Sequence, residues 1–220
     1  MTRRTIIAAG AGEAASSTSG AAGQEIAYAP RPLPFAPGSI AGFSQRLLTS
    51  HHDNNYAGAV KRLGAIQMQL AARDLAVEPG FLLNGLKREE LIALNSMILH
   101  EVYFASFAGS ASPGKALSTQ IELDFGSVER WRSEFAAIGR ALGGGSGWVL
   151  LTFSPRAGRL LNGWSADHSM TAADGPALIA LDMYEHAYAL DYGADAPAYV
   201  DAFMSALRWD QADAAFKKAA

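Results

Sequence analysis

The 220-residue sequence predicts an α+β fold: an N-terminal antiparallel helical hairpin domain, then a C-terminal α/β domain with a small antiparallel sheet of about three strands. Three observations lead to this prediction. Apolar residues recur every three or four positions through the first half of the chain, as in amphipathic helices. The segment Gly109–Gly114 (GSASPG) then interrupts that pattern with turn-forming residues. Beyond it, short apolar runs bounded by glycine and proline indicate strands.

The chain divides into three predicted parts. Residues 1–26 form a disordered tail or an export signal, residues 27–112 the hairpin domain, and residues 113–220 the α/β domain. The start Thr2–Ile7 (TRRTII) resembles a twin-arginine signal, followed by a short Ala/Gly-rich stretch that Glu13 interrupts. We favour export to the periplasm; a cytoplasmic protein with a disordered Ala/Ser/Gly tail is the alternative.

The hairpin domain contains two long helical patterns. The Pro-rich segment Ala29–Pro34 enters it in an extended conformation. The first helical pattern covers about Ser39–Leu75 and is broken by Pro79-Gly80. The second covers about Lys87–Ala108 and carries a wide apolar stripe. Because a short turn joins them, the two helices are expected to pack antiparallel.

The α/β domain shows a different periodicity. Gly126-Ser127 caps a predicted helix that ends at the glycines Gly143–Gly145, and an amphipathic helix begins at about Pro197. The predicted strands are Trp148–Phe153, Arg159–Trp164 and Ala177–Leu181.

Composition excludes several classes of site. The chain has no cysteine, so disulfides, thiolate nucleophiles and Cys-based zinc or iron–sulfur sites are excluded. A formal net charge of −3 gives no electrostatic reason to expect nucleic acid or a membrane surface as a partner. No apolar run reaches the roughly 18 residues of a membrane span. Because the chain has no cysteine, any bound metal must have nitrogen and oxygen ligands.

Four residues are candidates for such ligands. Asp182 and His186 are four residues apart and leave the end of the last predicted strand together. His51 and His100 each lie on the apolar side of a long predicted helix. Two interpretations stand: a site of three imidazoles and one carboxylate, which suits iron, manganese or zinc, or histidines that are hydrogen-bonded within the core.

The chain also resembles the iron/manganese superoxide dismutases over most of Leu33–Phe216. The similar segments are Leu33–Phe35 (LPF), His51–Val60 (HHDNNYAGAV), Asn95–Phe104 (NSMILHEVYF), Asp124–Ser127 (DFGS) with Gly145–Trp148 (GSGW), and Asp182–Tyr192 (DMYEHAYALDY). The segments in the α/β domain are highly specific, and the two helical ones are weak by themselves.

The resemblance implies a function and a ligand set. By that similarity, His51, His100, Asp182 and His186 hold one iron or manganese ion per subunit. One-electron cycling of that ion would convert superoxide to oxygen and hydrogen peroxide. The sequence does not choose between iron and manganese, because both metals accept these ligands.

Two further residues receive roles from the resemblance. His168 is expected to hydrogen-bond the solvent molecule on the metal, and the alternative is a surface loop histidine. Glu185 is expected to reach His186 of a second subunit, which implies a homodimer through this region. The alternative for Glu185 is a solvated acid at the start of a helix.

The chain departs from the family around the substrate channel. Asn55 replaces a usual histidine, Ala59 and Ala189 replace tyrosines, Tyr184 replaces a tryptophan, Leu150 replaces an aromatic residue, and Ser96 stands where many iron enzymes have glutamine. The predicted ligands are thus kept while the gate to them is altered.

Three interpretations fit the altered gate. Tyr56, displaced by three residues from the usual gate position at Ala59, supplies the missing hydroxyl. Alternatively, the site dismutes superoxide with slower proton delivery. In the third interpretation the protein is a metal-binding dimer that is weakly active or inactive.

Overall fold

The computed structural model describes residues 28–220, so the predicted tail or export signal at residues 1–26 lies outside the described part. The helices are α1 (Gln45–Ser50), α2 (Ala57–Ala71), α3 (Gly80–Ala105), α4 (Lys115–Phe125), α5 (Val128–Ala141), α6 (Ala189–Tyr192), α7 (Ala196–Ala206) and α8 (Asp210–Ala219). The strands are β1 (Trp148–Ser154), β2 (Arg159–Ser165) and β3 (Ala177–Asp182). The predicted α+β fold is confirmed.

The first long helix is continuous but not uniform. It begins after Ser44, whose side chain caps it by accepting a hydrogen bond from the Leu47 backbone N–H at 3.0 Å. Between α1 and α2 the chain forms a π-helical turn, His51–Tyr56. The wider turn brings His51 and Tyr56, five residues apart, into the buried interior together. In a regular α-helix this spacing would place the two side chains on different faces.

The predicted bounds of the two hairpin helices were partly wrong. The first helix is shorter than Ser39–Leu75 at both ends. The second begins at Gly80 rather than at Lys87, directly after Pro79, and it ends at Ala105. Its first turns lack a buried stripe, since Phe81 is 76% exposed, and apolar periodicity therefore missed them.

The sheet packs against the helical hairpin. Its strand order is β2-β1-β3 and both pairings are antiparallel. Each predicted strand is confirmed with one additional residue at its end. Strand β1 is entirely buried, and α3 of the hairpin packs against β3. The helix after Ser127 is also confirmed, whereas α4 and α8 were not predicted.

The end of β3 is positioned by a glycine. Gly147 has a φ of +132°, and a Cβ there would collide with the carbonyl oxygen of Ser165. Its own carbonyl accepts a hydrogen bond from the Met183 N–H at 2.9 Å, which holds β1 beside the last residue of β3, Asp182. Within residues 28–220, no helix is long and apolar enough to cross a membrane.

Candidate metal centre

Four separate elements contribute the four candidate ligands. His51 comes from the π-helical turn, His100 from α3, Asp182 from the end of β3, and His186 from the 3-10 turn Glu185–Ala187. One side-chain ligand atom from each lies within 4.8 Å of the corresponding atoms of the other three. The residues predicted from sequence therefore converge between the hairpin and the sheet.

The distances within this cluster fit a single ion. The Asp182 Oδ2 atom lies 3.0 Å from His51 Nε2, 3.2 Å from His186 Nε2 and 3.5 Å from His100 Nε2. Ligand atoms about 2.1 Å from one ion, at angles of about 90° to 120°, are roughly 3.0 to 3.6 Å apart. The observed separations fall in that range, as expected for atoms that share one ion.

The hydrogen bond of His100 leaves it ready to bind a metal. Its Nδ1 lies 2.6 Å from the Ser96 carbonyl oxygen, which can only accept, so Nδ1 carries the proton. In the neutral ring Nε2 then has a free lone pair. That atom is buried and has no hydrogen-bond partner within the described chain. A buried lone pair without a partner is costly in a structural core and is what a metal ligand requires.

Burial and charge keep three of the candidate ligands, His51, His100 and Asp182, unprotonated. Burial lowers the pKa of His100 to about 3, and nearby His51 contributes to this shift. Burial also lowers the pKa of His51, against an opposing effect of Asp182. For the Asp182 carboxyl, burial would raise the pKa, but hydrogen bonds with His186 and His51 outweigh it and hold that pKa below its usual range. Metal binding requires the basic forms, which are therefore available at neutral pH.

Three of the four candidate ligands are shielded from solvent, and the fourth is partly exposed. His51 packs among Tyr103 and Phe104, and His100 against Trp148 with ring centroids 5.2 Å apart. The side chains of His51, Asp182 and His100 are at most 1% exposed, while that of His186 is 29% exposed. His186 is therefore the candidate ligand that is least shielded from solvent.

His168, predicted to contact metal-bound solvent, lies beside this cluster. Its ring centroid is 6.2 Å from that of His100 and 5.6 Å from that of Trp148. Its Nδ1 is 2.9 Å from the Tyr184 hydroxyl. Burial lowers the pKa of His168, so its ring is neutral at neutral pH. The predicted role remains a prediction, now with a defined location.

Tyr56, the candidate for the displaced gate, is buried with its ring centroid 6.4 Å from that of His100. Its hydroxyl accepts from the Arg31 N–H at 2.8 Å and donates to Glu101 Oε1 at 3.0 Å. The Arg31 guanidinium pairs with Glu101 Oε2 at 2.8 Å. Sequence analysis missed the roles of Arg31 and Glu101, because both lie far from Tyr56 along the chain and look like ordinary surface charges.

Three other positions that the sequence analysis singled out are either exposed at the surface or buried in a helix. Glu185 is exposed next to His186. Ala189 is also exposed, and Ala59 is buried in α2. Alanine has no hydroxyl group, so neither residue can replace the tyrosine hydroxyl that the family usually has at its position.

Known proteins match this chain along most of its length. The family model described as iron/manganese superoxide dismutases, C-terminal domain, matches residues 113–215. An iron superoxide dismutase of Cupriavidus metallidurans is 60% identical over 192 residues, which cover 87% of this chain and 98% of that protein. The chain belongs to the iron/manganese superoxide dismutase family.

More distant relatives include enzymes named for either metal. A superoxide dismutase [Fe] of Aquifex aeolicus is 33% identical over 83% of this chain and 88% of its own length. A superoxide dismutase [Mn] of Halobacterium salinarum is 34% identical over 86% of this chain and 94% of its own length. The predicted family and its iron or manganese cofactor are thus confirmed, and the two metals remain equally compatible with the ligand set.

The pKa of His100 predicts an acid-sensitive metal-free protein. As the pH falls from about 6.5 towards 3, the unfolded chain protonates this ring while the folded chain does not. Between pH 7.0 and 5.5, His100 should therefore lower the free energy of unfolding by about 1 kcal/mol. Urea denaturation of the metal-free protein at the two pH values measures this. The His100→Gln variant should lose less stability over the same interval, and an equal loss would contradict the assignment.

Proposed function

We propose that this protein is a metal-dependent superoxide dismutase. Two superoxide anions and two protons become one molecule of oxygen and one of hydrogen peroxide. The decisive observation is the convergence of three imidazoles on one oxygen of a buried carboxylate, in a chain that is 60% identical to an iron superoxide dismutase. Bound at these residues, iron or manganese would supply the one-electron chemistry by alternating between two oxidation states.

The chain's own residues give this chemistry its setting. Asp182 places one negative charge among the imidazoles, and its second oxygen is fixed by the Tyr184 N–H at 2.9 Å. The aromatic wall around His51 and His100 excludes water from three of the four ligands. His186, whose side chain is 29% exposed, is the candidate ligand in contact with solvent.

Proton supply is the part of the reaction that the substitutions alter. Peroxide is a strong base, so product formation needs protons as well as electrons. In our proposal the Tyr56 hydroxyl delivers them and Glu101, which accepts its hydrogen bond, passes a replacement proton from solvent, while Arg31 holds the Glu101 carboxylate in place. Two features support this: the hydroxyl donates to Glu101, and the Glu101 side chain is paired with Arg31 while 19% of it stays exposed to solvent. Because this route replaces the tyrosines missing at Ala59 and Ala189, turnover is expected to be slower than in relatives that have them.

The ligand assignment predicts that His51→Ala and Asp182→Ala abolish metal binding and superoxide removal. Even residues behind the ligands cost about 10- to 100-fold in metal affinity, so loss of a ligand should cost more. Metal analysis of the purified variants and a superoxide-quenching assay after metal loading measure both effects.

The matched control is His52→Gln, which removes the neighbouring imidazole. His52 bonds the Arg31 carbonyl oxygen and Asp53 rather than the cluster, so its loss should leave metal content unchanged. Retained quenching in His51→Ala and Asp182→Ala would refute the site. Full metal content without quenching in the unaltered protein would instead support the metal-binding, inactive alternative.

The Tyr56→Phe substitution tests proton delivery. It removes the hydroxyl and keeps the buried ring, so metal content should be unchanged while kcat falls by about tenfold or more. Stopped-flow decay of superoxide separates kcat from the rate at low substrate. Tyr192→Phe is the control, because that hydroxyl bonds the Gly42 carbonyl oxygen away from the centre. Unchanged kcat in Tyr56→Phe would exclude Tyr56 from proton supply.

We also propose that the protein is a homodimer. Two features of the Glu185–His186 region support this. Glu185 is exposed, and His186 presents its second nitrogen, Nδ1, on the solvent side without a hydrogen bond to any described residue. In a twofold dimer the carboxylate of each copy would accept a hydrogen bond from His186 of the other, which links the two centres across the interface.

For this interface we expect Glu185→Ala to weaken dimerisation by at least about 100-fold, since a twofold dimer loses two charge-assisted hydrogen bonds. Analytical ultracentrifugation over a range of concentrations measures the dissociation constant. Glu129→Ala removes another exposed glutamate, far from His186 in the sequence, and serves as the control. Equal dissociation constants for the two variants would contradict the proposed contact.

A further inference from the structure

Tyr184 contacts both His186, a candidate ligand, and His168, the histidine of the neighbouring loop. It lies between Asp182 and His186 in the chain, and its ring stacks on the ligand ring of His186 with centroids 5.5 Å apart at an angle of 17°. Its hydroxyl lies 2.9 Å from Nδ1 of His168. A single side chain thus touches both a predicted ligand and the neighbouring loop histidine.

The loop that carries His168 is already fixed through its backbone. The Asn95 side chain on α3 donates to the His168 carbonyl oxygen at 2.6 Å. The Ser165 hydroxyl donates to the Asp167 carbonyl oxygen at 2.6 Å, and the Ser169 N–H donates to the Asp167 carboxylate at 2.7 Å. None of these bonds involves the imidazole ring. The ring's own hydrogen bond within the described chain is the one to Tyr184.

The direction of this hydrogen bond decides which ring nitrogen carries the proton. A phenol can donate to the lone pair of Nδ1, and a neutral imidazole that accepts at Nδ1 carries its proton on Nε2. An ordinary tyrosine hydroxyl keeps its proton at neutral pH and can donate it. Burial favours the neutral form of the His168 ring by lowering its pKa.

We propose that Tyr184 is a positioning residue whose hydroxyl donates to Nδ1 of His168 and holds that ring with its proton on Nε2, available to the metal centre. The side chains at positions 184 and 168 then act as one unit. A tryptophan at position 184 could stack on His186, but its indole has no acceptor and a differently placed donor. For its catalytic consequence, this inference rests on the proposed superoxide dismutase function.

The first measurement uses the metal-free protein. Long-range ¹H–¹⁵N NMR of histidine-labelled protein at neutral pH distinguishes the two tautomers of a neutral imidazole, and the signal of His168 is identified by its loss in His168→Gln. We expect His168 to be protonated on Nε2. Tyr184→Phe should change the ratio of the tautomers at least threefold, and Tyr192→Phe should not. Protonation on Nδ1 in the unaltered protein, or an unchanged ratio in Tyr184→Phe, would overturn the proposal.

The second measurement tests whether Tyr184 acts through His168. In the metal-loaded enzyme, Tyr184→Phe should lower kcat by about tenfold at unchanged metal content, as for other residues behind metal ligands. In a His168→Ala background the same change should cost less than twofold. An equal loss in both backgrounds would show that Tyr184 acts by stacking on His186 alone, and would overturn the proposal. Tyr184→Trp provides a second variant without the hydroxyl if the phenylalanine variant does not fold.

The two measurements separate this inference from the proposed function. If the unaltered, metal-loaded protein fails to remove superoxide, the dismutase function is lost. The tautomer of His168 in the metal-free protein still decides whether Tyr184 holds the ring.

Discussion

The structure depends on one buried carboxylate. Asp182 has no exposed surface, and its Oδ2 atom faces three imidazole nitrogens that come from three different elements. A negative charge in such a place is very unfavourable unless cations or hydrogen bonds compensate it. The hairpin and the sheet therefore have to meet at this point, and a metal cation held among the imidazoles would compensate the buried charge.

The elements around Asp182 are arranged to keep that meeting point fixed. Gly147 adopts a backbone conformation that favours glycine and ties the start of β1 to the residue after Asp182. The π-helical turn places His51 in the interior together with Tyr56, five residues further on, which a regular helix would not do. Trp148 lies opposite Asp182 in the sheet and packs on His100. Two local irregularities, the π-helical turn and the glycine conformation, thus lie next to candidate ligands.

The sequence located the candidate ligands better than their surroundings, for a physical reason. His51 and His100 follow the apolar periodicity of their helices, and Asp182 follows a run of buried strand residues, so local patterns locate them. The link between Tyr184 and His168 depends on how a loop lies over a strand end, which no local pattern encodes. For the same reason the sequence did not predict the contact between Tyr56 and Glu101. It did not predict the start of α3 at Gly80 because the exposed Phe81 gives no amphipathic signal.

The four candidate ligands differ in their exposure to solvent, and this difference limits how an ion can enter or leave the site. Three of the ligands are sealed inside, and they come from both halves of the molecule. An ion cannot reach them in the closed structure except past His186, the ligand at the rim. Exchange of a bound ion would therefore require displacement of His186 or local separation of the hairpin from the sheet, and either route breaks contacts that the closed structure makes.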